Sequence, residues 1–99
     1  MSLRGEPLER DAVLPDGRVL RVRVGVPEDS YIPRDQLDTV DLELWDEAQG
    51  EHVAAVTTVL EPEQTSEGLR LLEAVVLGLE SGELQPTAGA LEPLADRVL

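Results

Sequence analysis

Between residues 62 and 81 the apolar positions recur with a helical period. At about 100° per residue, Leu69, Leu71, Leu72, Val75, Val76 and Leu79 fall on one broad arc, with Glu67, Arg70, Glu73 and Glu80 opposite. This pattern predicts a helix over 62–81. Pro62 suits a first helical position, Glu63 favours the positive end of the helix dipole, and Ser81-Gly82 is a stop signal. Gly68 lies inside the apolar arc, where a missing side chain lets the backbone approach whatever the helix packs on.

Upstream the period changes to two. Residues 8–14 and 18–26 read as a β-hairpin closed by Pro15-Asp16-Gly17, with proline opening the turn and glycine free to take the left-handed position. A three-residue loop sets the register: Leu8 opposes Val24 and Ala12 opposes Leu20, while Asp11 meets Arg21 and Glu9 meets Arg23 on the other face. Arg10 then falls opposite Val22 on the apolar face, which places it near an edge. A second hairpin, 40–46 and 51–60 around Ala48-Gln49-Gly50, pairs Leu42 with Val56 and Leu44 with Ala54. The same count sets Trp45 beside Val53 and Asp46 opposite His52. Residues 27–39 form a connector with one helical turn over 33–37, anchored in the core by Tyr31 and Ile32. After Pro86, Leu91, Leu94 and Val98 have the spacing of a short amphipathic helix begun near Pro93.

The fold class expected is α+β. A four-stranded antiparallel sheet made of two β-hairpins carries one long helix packed on a face and a short C-terminal helix. The 99 residues form a single compact domain, and a chain of this size buries roughly 60–70% of its unfolded surface. Residues 85–99 are expected to dock on the core or on a partner. Met1-Ser2-Leu3 is read as a leader outside the fold.

Composition narrows the chemistry. The absence of cysteine excludes disulfides, zinc-thiolate sites and thiol nucleophiles. No apolar run approaches the ~20 residues that span a bilayer and no leader resembles a signal peptide, so a cytoplasmic location is expected. Lysine, asparagine and phenylalanine are also missing, a bias that points to GC-rich coding and a prokaryotic source.

The net charge of −13 is unevenly distributed. Residues 1–34 carry six acids and six arginines, whereas residues 35–99 carry 15 acids and two arginines, so the whole excess lies in the second part. Such a surface repels phosphate and anionic lipid, which disfavours direct binding of nucleic acid or membrane and favours a basic protein partner. Solubilisation alone would also account for it.

His52, the single imidazole, opposite an aspartate is the arrangement of an oriented base, but Ser30, Ser66 and Ser81 have no nucleophile motif around them. A salt bridge at the strand end is the simpler reading. Asp35, Asp38, Asp41 and Glu43 form the densest carboxylate cluster, yet strand alternation separates Asp38 from Asp41, and the glycine and terminal glutamate of a calcium loop are missing. No phosphate loop or basic patch is present, and no cofactor is expected. What remains is surface. Trp45, Val53 and Val59, with Thr57, are expected on the sheet face away from the helix, and Leu77 and Ala74 on the helix's polar side.

The functional expectation is a non-enzymatic interaction module that binds a basic protein surface, joins a second copy as a homodimer, or both. Its partner-binding residues would be Trp45, Asp38, Asp41, Glu43, Val53 and Leu77. The alternatives are a nucleic-acid mimic that occupies a DNA- or RNA-binding protein, and a small metal-assisted hydrolase using Asp35, Asp38, Asp41 and Glu43 with His52.

Overall fold

The computed structural model describes residue 3, residues 6–27 and residues 39–97. Its elements run β1 (Leu8–Val13), β2 (Val19–Gly25), β3 (Asp41–Asp46), β4 (Glu51–Thr57), α1 (Thr65–Ser81) and α2 (Ala88–Asp96). The strands form one antiparallel sheet in the order β1-β2-β3-β4, which is the expected α+β architecture. The turn expected at 33–37 and the anchoring by Tyr31 and Ile32 lie outside the described residues. No described helix is long and apolar enough to cross a membrane.

The first hairpin has the register that its alternation and turn dictate. Leu8 pairs with Val24, Asp11 with Arg21 and Ala12 with Leu20. The Leu14 N–H donates to the Arg18 carbonyl at 2.8 Å, and Gly17 takes φ 92°, where a side chain would be strained. Arg10 opposes Val22 on the helix side of an edge strand, and its guanidinium turns outward to Glu73 of α1 at 3.8 Å. The position is tolerated because the cation stays half-exposed with a carboxylate beside it.

The second hairpin departs from the expected register at its tip. Asp41 to Leu44 pair with Thr57 to Ala54 as expected, but Trp45 then pairs with His52 and Asp46 with Glu51, so Val53 is one residue in excess. The turn explains the shift. Asp46 Oδ1 accepts the Gln49 N–H at 3.3 Å, which holds residues 47–50 in a four-residue turn ending at Gly50 with φ 65°. Strand pairing therefore closes one residue earlier on β4, and the bulge absorbs the difference. The pairings of Trp45 with Val53 and of Asp46 with His52 do not form. Asp46 points to the buried side instead, 3.8 Å from an Arg18 nitrogen.

α1 begins at Thr65, not at Pro62, because the Pro62 carbonyl is turned out to accept the Leu3 N–H at 2.8 Å. Its C-terminus follows the sequence signal, with Gly82 at φ 82°. Gly68, Leu71, Leu72, Val75 and Leu79 are buried; Val76 is half-buried, and Leu69, at the margin of the apolar arc, is exposed. The glycine in that arc does bring the helix close. A Cβ on Gly68 would sit 3.3 Å from Leu3 Cδ1 and 3.6 Å from Leu8 Cδ1 and Val24 Cγ1.

Leu3 is thus no part of a leader; it is fully buried between α1 and the sheet. α2 also differs from expectation. It starts at Ala88, with the Thr87 hydroxyl accepting the Ala90 N–H at 3.2 Å, and Pro93 lies inside it. The proline is accommodated because the carbonyl it leaves without a donor, four residues back at Gly89, is on an exposed first turn open to water. Leu91 and Ala95 of α2 are fully buried in the cluster that also holds Ala54, Val56 and Leu71. The C-terminal helix therefore docks on the core, over β4 and beside α1.

Truncating Leu3 to alanine is expected to cost about 2–5 kcal/mol, as for other buried leucines. Leu77→Ala, at a site 70% exposed, should stay within about 0.5 kcal/mol. Denaturant midpoints of the two variants check this, and equal midpoints would remove Leu3 from the core.

Candidate functional site on the open face of the sheet

Both helices lie on one face of the sheet, α1 over β1 and β2 and α2 over β4. Neither of these helices lies on the other face. Alternation along each strand assigns to it Glu9 and Asp11 of β1, Arg21 and Arg23 of β2, Asp41, Glu43 and Trp45 of β3, and Ala55 and Thr57 of β4. The pairing of β2 with β3 sets Arg21 beside Trp45 and Arg23 beside Glu43.

Arg21 is the electrostatic hub of this face. Its guanidinium meets Asp11 at 3.2 Å, Glu47 at 3.3 Å and Glu9 at 3.7 Å. The hydrogen bond to Asp11, then the charge of Glu47, raise its already high pKa further. Glu9 thus turns to Arg21 and not to the cross-strand Arg23 that the register suggested. Arg23 has no ion pair among the described residues.

Trp45 is half-buried and braced on two sides. Its indole N–H donates to Glu43 Oε2 at 3.4 Å, and its ring meets His52 edge-on with centroids 4.7 Å apart and planes at 61°. The bulge made this contact by moving His52 opposite Trp45. A shallow depression of about 410 Å³ runs beside it, lined by Glu9, Arg21, Arg23, Trp45, Glu47 and Gly50.

Asp41 stands between Gly25 and Thr57 in the register. Burial raises its pKa, the Thr57 hydroxyl works in the opposite direction, and the Glu43 charge adds to the rise. Its Oδ1 is buried without a hydrogen-bond partner.

Of the six residues picked out as a contact surface, the fold brings Trp45, Asp41 and Glu43 together. Val53, displaced by the bulge, is half-buried and packs against the core. Leu77 projects from the side of α1 away from the sheet, far from the other three, and Asp38 lies outside the described residues together with Asp35. Thr57 takes its expected place, while Val59 lies beyond the end of β4, its N–H bonded to the Ala95 carbonyl at 3.4 Å. Ala74 lines a separate groove of about 180 Å³ with Arg70, Leu71, Leu94 and Arg97. Arg21, Glu47 and His52 belong to the open face but were not singled out for it. The alternation of Arg21 and Arg23 with valines was the available signal for the arginines, whereas the place of His52 depended on the bulge.

His52 and Asp46 stand on opposite faces, so they do not form the salt bridge or oriented pair that the sequence suggested. Among the described residues, no three histidine or carboxylate side chains converge in a way that would hold a metal ion. No protein family, curated protein or solved structure matches the chain.

Because burial raises the Asp41 pKa in the folded state, the folded protein binds this proton more tightly than the unfolded chain. Its ionisation therefore opposes folding at neutral pH, and the penalty fades as pH falls through the folded-state pKa. Asp41→Asn should raise the melting temperature at pH 7, with the advantage shrinking in the acid range. Paired thermal melts across pH check this; a lower melting temperature for the variant at pH 7 would show that the carboxylate is stabilising.

Proposed function

We propose that the protein is a non-enzymatic binding module that holds a basic segment of a partner protein on the open face of its sheet. The observation that carries this reading is Trp45, standing among Glu43, Glu47 and Asp41 on a face that neither helix covers. An aromatic ring held by its neighbours on an uncovered face is the kind of side chain that dominates interface energies, because it buries a large rigid area with little entropy loss. A guanidinium or ammonium above the indole would gain from the ring's negative face and from the adjacent carboxylates together.

Charge supports the same direction. From residue 35 to residue 69 there are ten acids and no lysine or arginine. On β2, Arg21 is already engaged by three carboxylates, so among the described residues of this face only Arg23 offsets the remaining acids. Long-range attraction would raise the rate of encounter with a basic partner, and contacts at Trp45 would set how long it stays.

A fluorescein-labelled hexa-arginine peptide, titrated by anisotropy at low and high salt, tests this reading. The double variant Glu43→Gln/Glu47→Gln should bind roughly tenfold more weakly at low salt, with the gap closing as salt screens both proteins. Trp45→Ala should bind more weakly at either salt concentration. Equal affinity of wild type and both variants would overturn the reading.

A further inference from the structure

The two edges of the sheet differ. On β1 the side chains of Glu9, Arg10 and Asp11 are charged and exposed, and the Val13 N–H at its end is occupied by Glu80 Oε2 at 3.2 Å. Charged edges of this kind discourage pairing with another strand. On β4, by contrast, no residue from 52 to 60 is Asp, Glu, Lys or Arg. Ala55 and Thr57 of this edge are exposed.

The hydrogen-bond pattern says which groups the β4 edge presents. The Thr58 N–H donates inward to the Val40 carbonyl at 2.8 Å, so by antiparallel alternation Val56 and Ala54 also bond inward to β3, while Ala55 and Thr57 direct N–H and C=O outward. Val59 obeys the same alternation: its N–H points outward and is taken by the Ala95 carbonyl of α2. At the other end the Val53 bulge bends the strand away. Between these two stops the outward groups of Ala55 and Thr57 have no partner among the described residues.

The acids sit one strand in from this edge. Glu43 is directly opposite Ala55, and Asp41 directly opposite Thr57. Strands lie roughly 4.8 Å apart, so a strand added beside β4 would be about 10 Å from β3. An arginine on the added strand would lie over the small Ala55 or Thr57 and reach Glu43 or Asp41, the two side chains together spanning that distance. A bulky or cationic residue at either small position would block this path.

We infer that β4 is a docking edge: an extended segment of a partner, with basic residues at alternate positions, adds to the sheet as a fifth strand. Its main chain pairs with Ala55 and Thr57, and its basic side chains lie on the open face against Glu43 and Asp41. Main-chain bonds supply the pairing, and the inset carboxylates select for cations. A second copy of β4 would not meet that selection, since the strand has no lysine or arginine to offer. This inference rests on the reading of the open face as a surface for basic partners and specifies how the partner is held.

The test uses the whole protein and two labelled peptides of alternating arginine and valine, one with a normal backbone and one N-methylated throughout. Methylation keeps the charge and removes the strand's donors. Wild type should prefer the normal peptide by roughly tenfold or more, the equivalent of the main-chain bonds lost. Ala55→Pro takes away an outward N–H and sets a ring where the added strand would lie, a substitution edge strands tolerate, and should shrink the preference without unfolding the protein. Glu43→Gln should weaken both peptides.

If Ala55→Pro keeps the full preference, or wild type binds both peptides equally, the edge proposal is overturned, while a Glu43→Gln effect in the same data would leave the face reading standing. If neither peptide binds wild type, both fall. Should Ala55→Pro fail to fold, amide exchange in wild type decides: the Ala55 and Thr57 amides must slow on addition of the normal peptide, and unchanged rates reject the edge. A wild-type dimer that Ala55→Pro dissolves would make a second copy the occupant and overturn the basic-segment proposal.

Discussion

The seating of α1 on β1 and β2 is the contact on which the rest of this structure depends. At Gly68 the helix backbone comes close enough that an added methyl group would crowd Leu3 and lie in van der Waals contact with Leu8 and Val24. That closeness lets Leu71, Leu72, Val75 and Leu79 reach the sheet as one continuous layer with Leu20, Val22, Leu42 and Leu44. Apolar area removed from water is the main force here, at about 25 cal/mol per Å², and close packing makes the position of the helix specific.

Once α1 is seated, the remaining choices are constrained. Leu84 folds back on the helix, packing where a Cβ on Gly78 would otherwise lie. The chain then re-enters a helix at Thr87, and Leu91 and Ala95 cover the part of the sheet that α1 does not reach. Both helices thus serve one face, and the other keeps its charged and aromatic residues in reach of solvent. The proposed function follows from this asymmetry. A two-layer fold built on a meander sheet leaves one face and both edges uncovered by its own helices, and here β1 is charged along its middle whereas β4 has its single carboxylate, Glu51, at its start.

Most of the architecture was legible in the chain. The period of α1, the alternation of the strands and the two turn glycines were sufficient for the element order, the first hairpin's register and the inward-facing residues of β3. Three details were not legible, each for a physical reason. Leu3 looked like a leader because no local pattern surrounds it; only its bond to the Pro62 carbonyl and its place under Gly68 mark it as core. α2 was placed too late because Pro93 resembles a helix start, while the cap at Thr87 is a single weak signal. The bulge at Val53 arose from a side-chain bond in the turn, Asp46 to Gln49, which strand counting does not register.

The sequence by itself determined the α+β class, the strand alternation that puts Asp41, Glu43 and Trp45 on one face, and the concentration of negative charge after residue 34, because periodicity and charge are local properties. Only the tertiary structure decided that β2 lies against β3, which brings Arg21 to Trp45 and Arg23 to Glu43. It alone also decided that α2 shares the face of α1 and leaves β4 as an edge. Strand order and helix docking join residues far apart along the chain, and they are settled by which apolar surfaces can be buried together, a property that no single segment carries.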